Sequence, residues 1–402
     1  MRSVLQLPNF RWLWLGQTFI LCASQFWFVT LTWLVLEKTG SGFALGSVLM
    51  AAAIPRGLFM LVGGAIGDRF PAHAVAAIAA ASNTALIGLI TALMFFDIFH
   101  LNVVILIAAL FGLSEAFLYP AMLSLLPQFV SKSRLGLANA WMQGSEQITN
   151  VVGPAAAGII IGTFDLPIAF AIDTVLFAIG SLLISLVKIR SRVRAVEPHP
   201  VSLMGAIIEG LRYAWKQPEI RISLQMIAMI NFAVLGPIVI GVAELVRVRF
   251  DGSATTFGYL QSAYGIGALF GVVVASRLSA IKDLKTPLVL LASALGLGLI
   301  VLGLMQQAWM ASVVIALMGL SGGIVGVLGL TWLQQQTETH MQGRMMSLVM
   351  FASVALDPFS QAISGVLMEV NLTGLFVTAG MAMLVTALVS SLSGIRDRPP
   401  VS

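Results

Sequence analysis

Residues 167–194 read PIAFAIDTVLFAIGSLLISLVKIRSRVR. Most of the stretch is apolar, with one acid, Asp173, and its last seven positions hold Lys188, Arg190, Arg192 and Arg194. About 20 apolar residues in a helix cross the ~30 Å hydrocarbon layer of a bilayer. Lys and Arg gather on the cytoplasmic side of such crossings. This one stretch therefore gives both a membrane helix and its direction.

The pattern repeats on either side. Mostly apolar segments lie near 12–36, 43–67, 72–96, 102–127, 137–163, 167–188, 220–243, 255–276, 286–306, 309–333, 344–368 and 372–393, twelve in all. Backbone polar groups in hydrocarbon must be paired within the segment, so these segments are helices. Both chain ends and the even-numbered gaps between segments hold 18 of the 22 Lys and Arg. The odd gaps hold Lys38, Arg247 and Arg249, and Arg56 lies inside the second segment. Both termini thus read as cytoplasmic, in agreement with an even number of crossings, and the expected location is the inner (plasma) membrane.

Composition excludes other classes. The chain is 58% hydrophobic and 10% charged, whereas soluble domains carry about a quarter charged residues. Lipid must solvate much of this surface. The net charge of +5 does not indicate nucleic acid, because the basic residues sit at membrane boundaries, where insertion and anionic headgroups account for them. Cys22 is the single cysteine, so no intrachain disulfide forms. The first segment is too long for a signal-peptide core and lacks a small-residue cleavage pattern, so it should remain as a membrane helix.

One gap differs from the others. Residues 189–219 follow the basic cluster with Pro198 and Pro200, then with Leu203, Ile207, Ile208, Leu211, Ala214 and Trp215 at helical spacing opposite Glu209, Arg212 and Lys216. This reads as an amphipathic helix, lying either on the inner membrane surface or on the protein's own cytoplasmic face. It divides the chain into a six-helix bundle over 1–188, a cytoplasmic linker over 189–219 and a second six-helix bundle over 220–402. The bundles look duplicated. Gly40, Ser41 and Gly46 recur as Gly252, Ser253 and Gly258; Gly63, Asp68 and Arg69 are matched by Gly271, Ser276 and Arg277; Arg134 recurs as Arg344. A near-constant offset of this kind is the mark of an internal repeat.

The second segment ends Gly63-Gly64-Ala65-Ile66-Gly67-Asp68-Arg69. This resembles the signature loop between helices two and three of the major facilitator superfamily, with Pro71 in place of the usual Gly and Ala72-His73 in place of two basic residues. Ala116-Phe117-Leu118-Tyr119-Pro120-Ala121, Leu126-Pro127, Arg134 and Ala138-Asn139-Ala140 are similar to the subgroup that contains the enterobactin exporter and macrolide-efflux proteins. Gly153-Pro154 followed by Gly158 resembles the antiporter motif of drug exporters. The resemblance spans roughly residues 9–393. It implies the major facilitator fold, with Asp68 and Arg69 holding the halves together on the cytoplasmic side and Gly153 and Pro154 shaping a gate in the fifth helix. It also implies a central cavity lined by helices one, four, seven and ten, which carries over to Gln17, Gln25, Phe28, Thr32, Glu115, Tyr119, Met122 and Asn231, with glycines 322, 323 and 326 on helix ten. Aromatic and Met side chains give adaptable apolar contact while amides and an acid orient a ligand. Such a lining suits an amphipathic organic molecule better than a sugar.

Charges within hydrocarbon are costly and need a partner or a function. Arg56, Glu115 and Asp357 fall near the middles of helices two, four and eleven. Arg56 is expected to pair with Asp357 across the halves as a gating contact, or with Glu115. Gln143, Glu146, Gln147 and Asn150 form a polar stripe on helix five that should face the cavity or the other half. Glu115 and Glu146 are candidates for proton coupling, since a carboxyl withdrawn from water can titrate in the physiological range; a packing role competes for each. Asp173 is expected near the outer boundary in a structural role, and Asp97, Asp165, Glu244 and Asp251 near the outer surface in water.

The reading is therefore a proton-coupled secondary transporter that exports a drug-like molecule or a siderophore by alternating access. Competing readings are an importer or lipid flippase of the same fold and, more remotely, a membrane enzyme. No Gly-x4-Gly-Lys-Ser/Thr loop occurs, so ATP is not expected as the direct energy source, and no cofactor is expected. His73, His100, His199 and His340 lie in gaps or at segment ends, where they cannot form a midplane metal site. Expected partners are the small-molecule substrate, protons and membrane lipids, with no nucleic acid, and the expected state is a monomer.

Overall fold

The computed structural model describes residues 4–67, 71–131, 134–187, 212–213, 215–278, 285–337, 345, 348–349 and 356–392. All regular structure among them is helical. In chain order the helices are α1 Pro8–Thr39, α2 Gly42–Gly67, α3 Ala72–Phe95, α4 Leu101–Leu125, α5 Leu135–Phe164 and α6 Leu166–Ser185. There follow α7, built from Pro218–Gly236, a π-helical turn Pro237–Gly241 and Val242–Arg249, then α8 Ala254–Leu278, α9 Lys285–Leu304, α10 Ala308–Gln336, α11 Asp357–Val370 and α12 Leu372–Leu392. Eleven helices among the described residues are long and apolar enough to cross a membrane. The remaining expected span, 344–368, is described continuously only from Leu356 onward. Most of the amphipathic stretch of the linker, and the Asp68-Arg69 pair, lie outside the described residues.

Local chemistry sets the helix ends. Pro8 opens α1 and Pro167 sits in the first turn of α6, where the missing N–H has no intrahelical partner to lose. Gly40 ends α1 in the left-handed region, φ 62°, and returns its N–H to the Leu36 carbonyl. Gly252 does the same work before α8 at φ 66°. Glycine takes this conformation without steric cost.

The helices fall into two compact units. Unit 1 comprises 1–40, 47–198 and 253–262; unit 2 comprises 41–46, 199–252 and 263–402. In unit 1, α3 packs on α6 and α4, and α1 on α6 and α5. In unit 2, α9 packs on α12 and α10, and α7 on α12 and α11. Each pair in the second set is the first set shifted by six helices, which is the duplication suspected from the offsets. The core of unit 1 is aromatic: Trp27 stacks on Phe111 at 4.7 Å, and Phe177 meets Phe111 edge-on at 5.8 Å. The core of unit 2 is aliphatic and sulfur-rich, around Met226, Leu288, Leu328, Trp332 and Met383.

Candidate functional site

Unit 1 contains a cavity with about 830 Å³ of empty space, part of it open to solvent. Helical spacing builds its walls. Gln17, Leu21 and Ser24 lie along one face of α1; Glu115, Leu118, Tyr119 and Met122 along one face of α4; Asn139, Gln143 and Glu146 along one face of α5. Residues three, four and seven apart share a helix face, so three runs of this kind converge on one space. Two acids, three amides and a phenol face a floor of Leu, Ile and Met.

Glu115 is half-buried and accepts a hydrogen bond from Asn83 Nδ2 of α3 at 3.2 Å. It also lies within reach of the charge on Arg56 of α2. Of the two partners considered for Arg56, Glu115 shares its unit, whereas Asp357 belongs to unit 2, buried at the first turn of α11. Tyr119 is 46% exposed and interacts electrostatically with Glu146 across the cavity.

The structure thus brings Gln17, Glu115, Tyr119, Met122 and Glu146 together in one cavity and leaves other expected lining residues out of it. Gln25 donates its amide N–H to Asn150 Oδ1 at 2.8 Å, joining α1 to α5. Thr32 is fully buried. Phe28 is half-buried on α1, and Asn231 of unit 2 donates to its own helix at the Ile227 carbonyl. The polar stripe of α5 is therefore divided: Gln143 and Glu146 face the cavity, while Asn150 is engaged with α1. Gly153 lies against Gln25, where an added Cβ would come within 2.6 Å of the Gln25 Cβ. The Pro154 carbonyl and Gly158 face the start of α8, which belongs to unit 1.

One outer acid differs from expectation. Glu244 is buried rather than solvated, because Arg247 one turn later donates to both of its oxygens at 2.8 Å. Asp173 is fully buried in α6, and neither carboxylate oxygen has a hydrogen-bond partner among the described residues. Asp97 and Asp165 are exposed, the former 3.2 Å from Lys38. Sequence reasoning missed Ser24, Asn139 and Asn83. The signal for Asn83 was a lone amide in an alanine-rich apolar run, a residue that hydrocarbon tolerates only with a partner. Among the described residues no group of three or more His, Cys, Asp or Glu is placed to hold a metal ion.

Comparison with known proteins agrees with this architecture. The chain is 24% identical over 375 residues to the multidrug efflux pump Tap of Mycolicibacterium fortuitum, covering 90% of each chain. It is 22% identical over 389 residues to macrolide efflux protein A of Streptococcus pyogenes, covering 95% of each. The crystal structure of the nucleoside transporter NupG superposes with a TM-score of 0.79 at 12% identity, covering 95% of this chain and 99% of that one; at that identity the likeness speaks for the fold. The sequence model of one family matches residues 13–356. With its helices, their six-step packing repeat and that match taken together, the chain belongs to the Major Facilitator Superfamily.

Proposed function

We propose that this protein is a secondary active transporter that exports a small amphipathic organic molecule in exchange for protons, by alternating access. The observation that carries the reading is the cavity of unit 1, where Glu115 and Glu146 share one space with Tyr119, Met122 and three amides. An apolar and polarizable lining with a few convergent polar groups binds varied amphipathic ligands. Two acids near that ligand allow proton uptake to be linked to its release. The names of the relatives, a multidrug pump and a macrolide efflux protein, support a drug-like substrate over a sugar or a simple ion. In this reading Gln17, Tyr119 and Met122 contact the substrate, and Glu115 and Glu146 carry the exchanged proton. Arg56 holds the charge of Glu115 in place, and both termini face the cytoplasm of the inner membrane.

The test is transport in liposomes with an imposed pH gradient, using a fluorescent cationic dye, a macrolide and a catecholate siderophore in parallel. Wild-type protein should move at least one of them faster with the gradient than without it. Glu115→Gln and Glu146→Gln should each reduce gradient-driven transport at least about tenfold, the loss of ~1.4 kcal/mol. The double variant should retain substrate binding but show no response to the gradient. Transport that ignores the gradient, or a double variant that couples like wild type, would remove proton exchange through these acids.

A further inference from the structure

The face of α5 opposite Glu146 borders a second concavity, between α1 and α5, with about 610 Å³ of empty space. Its walls are Trp14, Leu137, Trp141 and Ile148, with Gly144 at the centre. Leu137, Trp141 and Ile148 are 52%, 39% and 62% exposed, and a Cβ on Gly144 would meet nothing within 4 Å. The indole N–H of Trp14 is turned to Ser145 Oγ at 2.7 Å, and the Trp14 and Trp141 rings meet edge-on at 5.3 Å. The lining is therefore both apolar and fixed in shape. On a helix, 137, 141, 144 and 148 fall half a turn away from 139, 143 and 146. The groove thus opens on the side of α5 opposite the cavity of unit 1.

The same two stripes carry positive charge where they leave the hydrocarbon. Continuing the α5 stripe backward from Leu137 by one turn gives Arg134, the N-cap residue; continuing α1 backward from Trp14 by one turn gives Arg11. Neither N-cap residue, Leu7 or Arg134, caps its helix with a side-chain hydrogen bond. Two guanidiniums and two helix N-termini make this end of the groove attractive to a phosphate. From Arg134 to Ile148 the helix advances about 21 Å, the depth of a headgroup plus one ~15 Å hydrocarbon leaflet.

We propose that the α1–α5 groove binds an anionic phospholipid of the leaflet in which α1 and α5 begin. Arg11 and Arg134 face its phosphate, and one acyl chain lies along Trp14, Trp141 and the open side of Gly144. The proposal needs only that these helices span a membrane, so it stands or falls separately from the proton-coupled export reading.

Full-length protein purified in detergent is titrated with phosphatidylglycerol and with phosphatidylcholine, both carrying a brominated acyl chain. Tryptophan quenching reports binding, and native mass spectrometry counts retained lipid. The wild type should bind phosphatidylglycerol more tightly than phosphatidylcholine. Arg11→Gln with Arg134→Gln should weaken phosphatidylglycerol at least about tenfold and abolish the preference. Gly144→Leu, whose Cβ has open space, projects a side chain into the groove and should weaken both lipids, whereas Gly136→Leu, whose Cβ is equally open but off the stripe, should bind like wild type. A Gly144→Leu protein that binds phosphatidylglycerol at wild-type affinity overturns the proposal. So does a double Gln variant that keeps the preference. A change from dimer to monomer on Gly144→Leu, with lipid retention unaltered, would place a second copy of the chain in the groove instead. If Gly144→Leu proves poorly folded, the Arg pair, at the ends of the helices, carries the decision alone.

Discussion

Gly40 and Gly252 adopt nearly the same left-handed backbone, φ 62° and 66°, and each is followed by a serine and then by a helix that crosses a glycine-bearing helix within its first two turns. At the α8 crossing, in unit 1, the contact is backbone on backbone. A Cβ on Gly258 would fall on the Pro154 carbonyl oxygen and 3.1 Å from Gly158 Cα, and Thr255 Oγ1 donates to the Gly158 carbonyl at 3.1 Å. At the α2 crossing, in unit 2, a Cβ on the partner glycine, Gly365, would fall 2.5 Å from the Gly42 carbonyl oxygen, but there is more room at Gly46. A Cβ on Gly46 would lie 3.0 Å from the Gln361 carbonyl and 3.4 Å from Gly365 Cα. The closure there is polar: Glu369, at the end of α11, accepts hydrogen bonds from the Ser41 hydroxyl and, at 3.0 Å, from the Phe43 N–H. The turn and the close glycine crossing recur in both; in unit 2 the tightest contact falls on Gly365 rather than on the glycine of the incoming helix, and a carboxylate cap is added.

Adding one methyl at the tight crossing gives the largest expected effect. Gly258→Ala pushes a Cβ onto a carbonyl that is part of a helix and cannot swing aside, so about 2–3 kcal/mol of stability should be lost. A drop in melting temperature of the purified protein in detergent measures it. The two turn glycines come next. Gly40→Ala and Gly252→Ala each force a side chain into the left-handed region, at about 1 kcal/mol apiece, and the two should be equal because the two φ values are. Gly46→Ala should cost less than Gly258→Ala, about 1 kcal/mol, since the neighbours need give by only tenths of an ångström. Equal penalties at 46 and 258 would mean that the added room at Gly46 gives no relief.

These crossings also show what a sequence can disclose. The spans were legible because a hydrocarbon layer demands a fixed length of apolar helix, and their ends fall within a few residues of Thr39, Phe164 and Ser185, where the helices stop. The offset between Gly46 and Gly258 was legible as a repeat, but its meaning was not, because a contact between helices depends on registers that no local pattern fixes. The same holds for the site. Gln17, Glu115, Tyr119, Met122 and Glu146 were found because polar groups in apolar helices stand out. Asn83, which steadies Glu115, and Ser41, bonded to a residue 328 positions away, depend on neighbours supplied by other helices. Glu244 misled for the converse reason: its position near a surface suggested water, while Arg247 one turn along supplied the charge that allows burial.

The smallest expected effect belongs to the carboxylate cap, and it separates the crossings by pH. Glu369 lies just past the expected span 344–368, in solvent, and the Ser41 hydroxyl first, then the Phe43 N–H, hold its carboxyl below the ordinary range of about 4.3. Both donors favour the ionised form, and the start of α2 adds the positive end of its dipole. A carboxyl held low in the folded protein contributes stability that is fully present above its unfolded value and is lost as pH falls through its folded value. The contribution should therefore be constant from neutral pH down to about 5 and fade below about 4. Glu369→Gln should lower the melting temperature slightly at pH 7 and leave it unchanged relative to wild type at the acid end, because the protonated acid and the amide make comparable caps. Gly258→Ala should show the same deficit at both pH values, since no titrating group takes part in that contact. If Glu369→Gln instead cost the same at every pH, the hydrogen bonds to Ser41 and Phe43 would owe nothing to charge, and the two crossings would differ in shape alone.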